Sequence, residues 1–145
     1  MNASSTVIGF DFGTQKIGVA SGQSLTGSGS PLAALLCPHQ QIPWSAIEAV
    51  LKEWTPDTLV IGLPLNMDDS ESELSRRARR FARQLGGRFN IPAVMTDERL
   101  STREARELLD QQTGGKAKRG PDPRVDSIAA ALIVETFFRE GGTAP

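Results

Sequence analysis

Three carboxylates from distant segments stand where an acid is either costly or well placed for chemistry. Asp11 interrupts the apolar, glycine-bearing stretch VIGFDFGTQKIGVA at residues 7–20. Glu98 lies just past a short apolar run and immediately before a helix start. Asp126 is followed at helical spacing by Ala129, Ala130, Ile133 and Phe137, so within a helix it would project from the apolar face. An ionised acid in such surroundings needs hydrogen bonds or a counter-charge. Asp11 suits a locally bonded turn or a cation. Glu98 suits a solvated loop acid drawn to a helix N-terminus or a ligand, and Asp97 is an equal candidate for either role. Asp126 can pair with an arginine such as Arg99, or share a divalent ion with Asp11 and Glu98. Three oxygen donors of this kind favour Mg²⁺ or Mn²⁺ over zinc or copper. Two such ions roughly 4 Å apart would stabilise both the attacking water and the leaving oxygen of a phosphodiester. A single cysteine, Cys37, and a single histidine, His39, leave no disulfide within the chain, no Cys/His metal cluster and no Ser-His-Asp or Cys-His nucleophile.

The elements that must carry these acids can be read in order. Residues 7–20 form a β-hairpin turning at Gly13-Thr14. Residues 21–30 read as a flexible connection, and 31–37 as a third strand. Pro43 opens a helix with Trp44, Ile47, Val50, Leu51 and Trp54 at helical spacing, which makes the tryptophans core residues rather than a base-stacking platform. Residues 58–63 (TLVIGL) are a strand buried on both faces, followed by a loop at 64–69. Ser70 and Glu73 form a capping box for a second helix. Its inner face is Leu74, Ala78, Phe81, Ala82 and Leu85, and Gly86-Gly87 stops it. A strand at 91–95 leads to Thr96–Arg99. A second capping box, Ser101 and Glu104, opens a helix with Ala105, Leu108 and Leu109 inward. Asp122-Pro123 opens a last helix running to about residue 139. A hairpin followed by alternating strands and helices predicts an α/β fold with a mixed sheet, antiparallel at first and parallel afterwards. The site then lies at the carboxyl ends of the parallel strands. At 145 residues the chain makes one domain, over 7–139, with flexible tails at 1–6 and 140–145.

The formal net charge is −1, so any affinity for nucleic acid must be local. Arg76, Arg77, Arg79, Arg80, Arg83 and Arg88 crowd the second helix, as a solvated face or a phosphate-contacting one. Lys116, Lys118 and Arg119 form a second basic cluster before the Asp126 helix, and neighbour the supposed site more closely. Arg99 and Arg124 flank the acids, and could hold phosphate or neutralise them. Asn66 suits a hydrogen bond to sugar or phosphate, or a role inside its loop. The N-terminus lacks an apolar leader region, and no apolar run approaches membrane-spanning length. A cytoplasmic location and no membrane partner are expected.

Four motifs carry a resemblance to a known family: DFGTQKIGVA with Asp11, GLPLNM at 62–67, DERLST at 97–102, and VDSIAAALI with Asp126. Together, in this order and spacing, they resemble the YqgF family. Its members are RNase H-fold relatives of the RuvC-type Holliday-junction resolvases, described as resolvases or pre-16S rRNA nucleases. The resemblance covers residues 7–138. It implies a five-stranded mixed sheet of order 3-2-1-4-5 with flanking helices, and Asp11, Glu98 and Asp126 as catalytic acids holding Mg²⁺ or Mn²⁺, with two ions. It further implies a nucleic-acid substrate, either pre-16S rRNA processed at its 5′ end or branched DNA, with ribosomal-subunit association and a monomer or homodimer both open. Lys16, Asn66, Arg99, Lys116, Lys118, Arg119 and Arg124 are the candidate substrate-binding residues. Two departures stand out: Gln15-Lys16 replaces a basic pair, and Asp68-Asp69 replaces Asp-Gly, where Asp69 takes a positive φ less freely than glycine. Two other classes compete with a nuclease. One is a non-catalytic RNA-binding module of the same fold. The other is an ATP-binding protein, because DFGT before a glycine hairpin also resembles the first phosphate loop of the actin, Hsp70 and sugar-kinase superfamily, which needs two such domains.

Overall fold

The computed structural model describes residues 5–97 and 124–145. Five strands, β1 (Thr6–Asp11), β2 (Lys16–Gln23), β3 (Ser28–Leu36), β4 (Thr58–Leu63) and β5 (Ala93–Asp97), form one sheet of order β3-β2-β1-β4-β5. The β1–β2 and β2–β3 pairs are antiparallel, and β1–β4 and β4–β5 are parallel. This is the mixed sheet expected. Among the described residues three helices flank it: α1 (Trp44–Trp54), α2 (Glu73–Phe89) and α3 (Ile128–Glu140). None is long and apolar enough to cross a membrane.

Alternation along the central strands divides the core in two. Ile8, Phe10, Phe12, Leu59, Ile61 and Leu63 pack with Ile47 and Leu51 of α1 and Ala78, Phe81 and Leu85 of α2. Val7 and Val60, on the other face, meet Ala130, Ala131, Ile133 and Val134 of α3. Trp44 stacks at 6.0 Å on Phe81 and carries the Arg88 guanidinium 4.1 Å from its ring centre, so it is committed to packing as expected.

The approach of α3 is set by glycine. A Cβ on Gly9 or Gly22 would lie 2.4 Å from a Val134 methyl, and one on Gly29 would lie 2.4 Å from the Ala131 carbonyl oxygen. The missing side chains of β1, β2 and β3 thus form a trough that receives Val134 and the backbone of Ala130 and Ala131. Glu135 closes one side by accepting the Gly29 N–H at 3.0 Å.

Several boundaries differ from the sequence expectation. The presumed flexible stretch at 21–30 belongs mostly to strands, because Gly22 and Gly29 pair across a tight turn. Pro31 is accommodated because β3 is an edge strand. The segment after α3 is held rather than frayed: Thr143 and Met95 exchange both backbone hydrogen bonds, at 2.8 and 2.9 Å. Thr6 likewise belongs to β1, and Ser5 donates its N–H to Ser24 Oγ at 2.8 Å. The second helix begins at Glu73 with Ser72, not Ser70, as its N-cap. Ser70 is unavailable because its N–H and hydroxyl both donate to Asp68. Ser72 Oγ instead accepts the Ser75 N–H, and Ser75 Oγ accepts the Ser72 N–H and donates to the Pro64 carbonyl, which ties the helix to the end of β4. Gly86-Gly87 does not stop the helix. It continues to Phe89 and ends on Asn90 in the left-handed region. Strand β5 is shifted to Ala93–Asp97, so Asp97 is its last residue. The helix expected after Ser101 lies outside the described residues.

The loop after β4 turns between Asn66 and Asp69, whose N–H donates to the Asn66 carbonyl at 2.9 Å. Asp69 has φ +70°, the position where the family pattern has glycine. Placing an L-residue there costs roughly 1–2 kcal/mol, less for Asp, and glycine offsets part of the gain with its chain entropy. Asp69→Gly should therefore stabilise the fold by about 0.5 kcal/mol. This is expected as a raised urea midpoint at unchanged m; a lowered midpoint refutes it.

Candidate active site at the carboxyl edge of the sheet

Asp11 ends β1, and the chain returns as β2 at Lys16. The intervening turn is tight enough that a Cβ on Gly13 would lie 2.5 Å from the Lys16 carbonyl oxygen. Asp11 is half-buried and pairs across the ladder with Gly18. That glycine is where the second acid arrives. A Cβ built on Gly18 would lie 2.5 Å from the Asp126 carbonyl oxygen, 3.3 Å from the Asp11 Cβ and 3.3 Å from the Ser127 Cα. The side chain of Asp11 and the backbone of Asp126 therefore meet over one point of β2 that only glycine leaves open.

Asp126 is not one turn into the last helix, as its spacing suggested. It sits in a 3-10 turn, Val125–Ser127, and α3 proper starts at Ile128. Its side chain does not face the apolar core but is 39% exposed, and its Oδ2 pairs with Lys16 Nζ at 3.0 Å. Lys16 is thus a partner beyond the two that the sequence offered for this acid, an arginine such as Arg99 or a divalent ion shared with Asp11 and Glu98. The turn is held by Ser127, which is fully buried and accepts the Val19 N–H on its Oγ at 2.9 Å. This bond falls beside a register shift between Ile17 and Val19 in the β2–β3 ladder. Gly18 and Ser127 were not singled out from the sequence, although a serine inside the run VDSIAAALI is a polar residue in need of a partner.

The other candidates distribute as follows. Arg124 is exposed, and its carbonyl accepts the Ser127 N–H at 3.0 Å. Asp97 ends β5, in register with Leu63 of β4. Asn66 lies in the loop after β4 and donates one side-chain amide N–H to Ser70 Oγ at 2.9 Å, so the loop itself uses part of this group. Glu98, Arg99, Lys116, Lys118 and Arg119 lie outside the described residues. Among the described residues no cluster of three or more metal-ligating side chains forms. The Asp11 side chain and the Asp126 backbone nevertheless approach the same point of β2, and carboxylates are hard oxygen donors of the kind that suit a divalent cation of the Mg²⁺ or Mn²⁺ class. On α2, Arg79 holds Glu71 with three contacts of 2.7–3.0 Å, and this hydrogen bonding keeps the Glu71 carboxyl below its usual range.

A five-stranded 3-2-1-4-5 sheet with acids at the carboxyl edge of β1 and at the foot of the last helix defines an RNase H-like fold of the resolvase type. Solved structures agree. Thermus thermophilus RuvC superposes with a TM-score of 0.55 at 14% identity, covering 97% of this chain and 99% of that one. The fowlpox virus resolvase, solved with Holliday junction DNA, gives 0.54 at 11% identity, covering 92% and 97%. At such identities the likeness concerns the fold. The sequence relationship is closer elsewhere: residues 5–140 match the family model described as RuvX, Holliday junction resolvase, and the chain belongs to that family. This bears out the resemblance drawn from the four motifs. Relatives named "Putative pre-16S rRNA nuclease" include one from Alcanivorax borkumensis, 56% identical over 91% of this chain and 94% of that one. Another, from Saccharophagus degradans, is 49% identical over 98% and 99%. A third, from Escherichia coli O7:K1, is 48% identical over 95% and 99%.

Two outcomes test this arrangement. Gly18→Ala forces a methyl into backbone on the Asp126 side, and overpacking of that kind costs about 1–3 kcal/mol. The thermal midpoint should fall accordingly, and an unchanged midpoint would show that the turn is not seated there. Ser127→Ala leaves a buried N–H at Val19 without its acceptor, costing about 1–3 kcal/mol. Amide exchange at Val19 should accelerate more than at Phe10 on the neighbouring strand. Equal protection at both sites contradicts the bond.

Proposed function

We propose that this protein is a metal-dependent nuclease hydrolysing phosphodiester bonds in structured nucleic acid, most readily at the 5′ end of pre-16S rRNA, with Holliday-junction cleavage as the second substrate. The observation that supports the reading is the meeting of Asp11 and the Asp126 turn at Gly18. Asp11 and Asp126, with Glu98, are the residues that would hold Mg²⁺ or Mn²⁺. Bound there, two such ions would activate water and stabilise the leaving oxygen. The chain's own residues do the rest. The backbone of Asp11 is fixed by the β1–β2 ladder and that of Asp126 by the Ser127 bond, so both acids are positioned before substrate arrives. Lys16, beside Asp126, offers a cation to a phosphate oxygen once its partner is otherwise engaged. Arg99, Lys116, Lys118, Arg119 and Arg124 are proposed to contact the substrate backbone, and Asn66 the sugar or phosphate at the β4 edge. The proposed setting is a cytoplasmic single domain that meets the small ribosomal subunit.

One observation favours a second reading, a non-catalytic RNA-binding module. Lys16 already neutralises Asp126 at 3.0 Å, which a module with no metal to hold would also require.

The test compares wild type with Asp126→Asn on labelled precursor RNA carrying the 5′ extension, a Holliday junction and linear duplexes, with Mn²⁺ and with EDTA. Loss of a metal ligand removes several kcal/mol of transition-state stabilisation, so cleavage should fall at least ~100-fold in the variant and with EDTA. RNA binding without metal-dependent cleavage of any substrate, by folded proteins, selects the module.

A further inference from the structure

A second feature lies across the same sheet edge, on the face opposite α3. The turn residues Phe12 and Gly13, the segment Cys37–Ile42 and α2 enclose a cleft of about 450 Å³. This volume falls in the range of small-ligand sites. Its polar lining is Gln40, Gln41, Gln84, Arg77 and Arg80, its apolar floor is Phe12, Ile42 and Trp44, and no carboxylate lines it among the described residues. Cys37, also at the wall, is buried, and burial pushes its thiol pKa up, so it adds no negative charge.

The arginines of α2 are not equivalent. Arg76 pairs with Glu73, Arg79 with Glu71, and Arg88 lies over Trp44. Arg80 is exposed and makes no ion pair among the described residues. Arg77 is half-buried, with its guanidinium 6.0 Å from the Phe12 ring centre, beside the turn that follows Asp11. The opposite wall is strained: His39 and Gln40 have φ +54° and +61°. Two successive non-glycine residues in the left-handed region are costly for a mere connection, and here they lead into the glutamine pair at the cleft.

We infer that this cleft takes an unpaired nucleotide of the substrate strand, its phosphate on Arg77 and Arg80 and its base among the glutamine amides. Guanidinium forks match phosphate oxygens. Primary amides supply donors and acceptors to a base edge, and Ile42, with the parts of Phe12 and Trp44 that line the cleft, gives the base apolar contact rather than a stacking platform. Because Phe12-Gly13 directly follows Asp11, a strand crossing the sheet edge there runs from the carboxylates to the cleft. A duplex cannot enter a cleft of this size, so the subsite selects substrates with an unpaired residue next to the scissile bond. This rests on the nuclease reading for its orientation, but not for its binding chemistry.

The experiment uses the full chain carrying Asp126→Asn, with and without Arg77→Gln/Arg80→Gln. Fluorescence anisotropy follows a short labelled single strand, as RNA and as DNA, and the matching duplex, across a salt series. Arg83→Gln, on the same helix but outside the cleft, is the control. Single-strand affinity should fall about tenfold in the double variant, with the log–log salt slope shallower by about 0.7, the value for one phosphate contact. The control and duplex binding should change less than twofold. A 4-thiouridine strand should crosslink to residues 37–44 or 77–84. Unchanged single-strand affinity, an equal loss on duplex, or crosslinks only elsewhere overturns the inference. Cleavage assays on the Asp126 background's wild-type parent separate the two ideas. Cleavage with an unaffected cleft variant sinks the subsite alone, and cleft-dependent binding without any cleavage sinks the nuclease reading alone.

Discussion

The structure depends on how closely its last helix can lie against the sheet. At Gly9, Gly22 and Gly29 a methyl group would stand 2.4 Å from atoms of α3, and at Gly18 it would stand 2.5 Å from the Asp126 carbonyl. At that range something in the packed interior must shift, and overpacking of this kind costs about 1–3 kcal/mol. The glycines are therefore spatial requirements, and the alanines at 129–131 are their counterpart on the helix. One polar bond completes the fit. Ser127 is buried and satisfied only because Val19 offers it an N–H at the register shift. Helix position, strand irregularity and the location of Asp126 are thus one solution to one packing problem.

Charge is handled differently on the two faces. At the Asp11 edge a lysine and an aspartate sit 3.0 Å apart, both partly in water, an arrangement that adds little stability and can open when a stronger partner arrives. On α2 half of the dense arginine run already has a partner within the protein. Glu73, Glu71 and the Trp44 ring take the guanidinium groups of Arg76, Arg79 and Arg88. What remains open to a phosphate is smaller than the sequence run suggests, and is concentrated toward the cleft. A net charge of −1 is therefore no measure of local affinity for a polyanion.

The sequence fared unevenly by element. Strands and helices whose apolar residues follow a period of 2 or 3.6 were legible: β1, β4, α1 and the body of α2 sit where the pattern put them. Errors gathered where local signals compete. Ser70 satisfies a capping pattern, but Asp68 engages it first, and the helix starts two residues later. Gly86-Gly87 looks like a stop, yet α2 packing continues through Leu85 to Phe89, and Asn90 provides the left-handed cap. Residues 21–30 look like linker because they are rich in serine and glycine; Gly22 and Gly29 are small because Val134 and the Ala131 carbonyl lie over them.

By itself the sequence determined the α/β class, the mixed sheet and the prominence of Asp11 and Asp126, since an acid set among apolar residues is conspicuous without any structure. The four motifs were enough to set the family. It did not determine which partner Asp126 has, that its side chain faces water, or that Gly18 and Ser127 hold it in place. Those are decided by tertiary packing. A residue 110 positions away supplies the Lys16–Asp126 contact, and one 108 positions away supplies the Val19–Ser127 bond. No local periodicity encodes contacts at such separations; they exist only once the helix has settled into its trough.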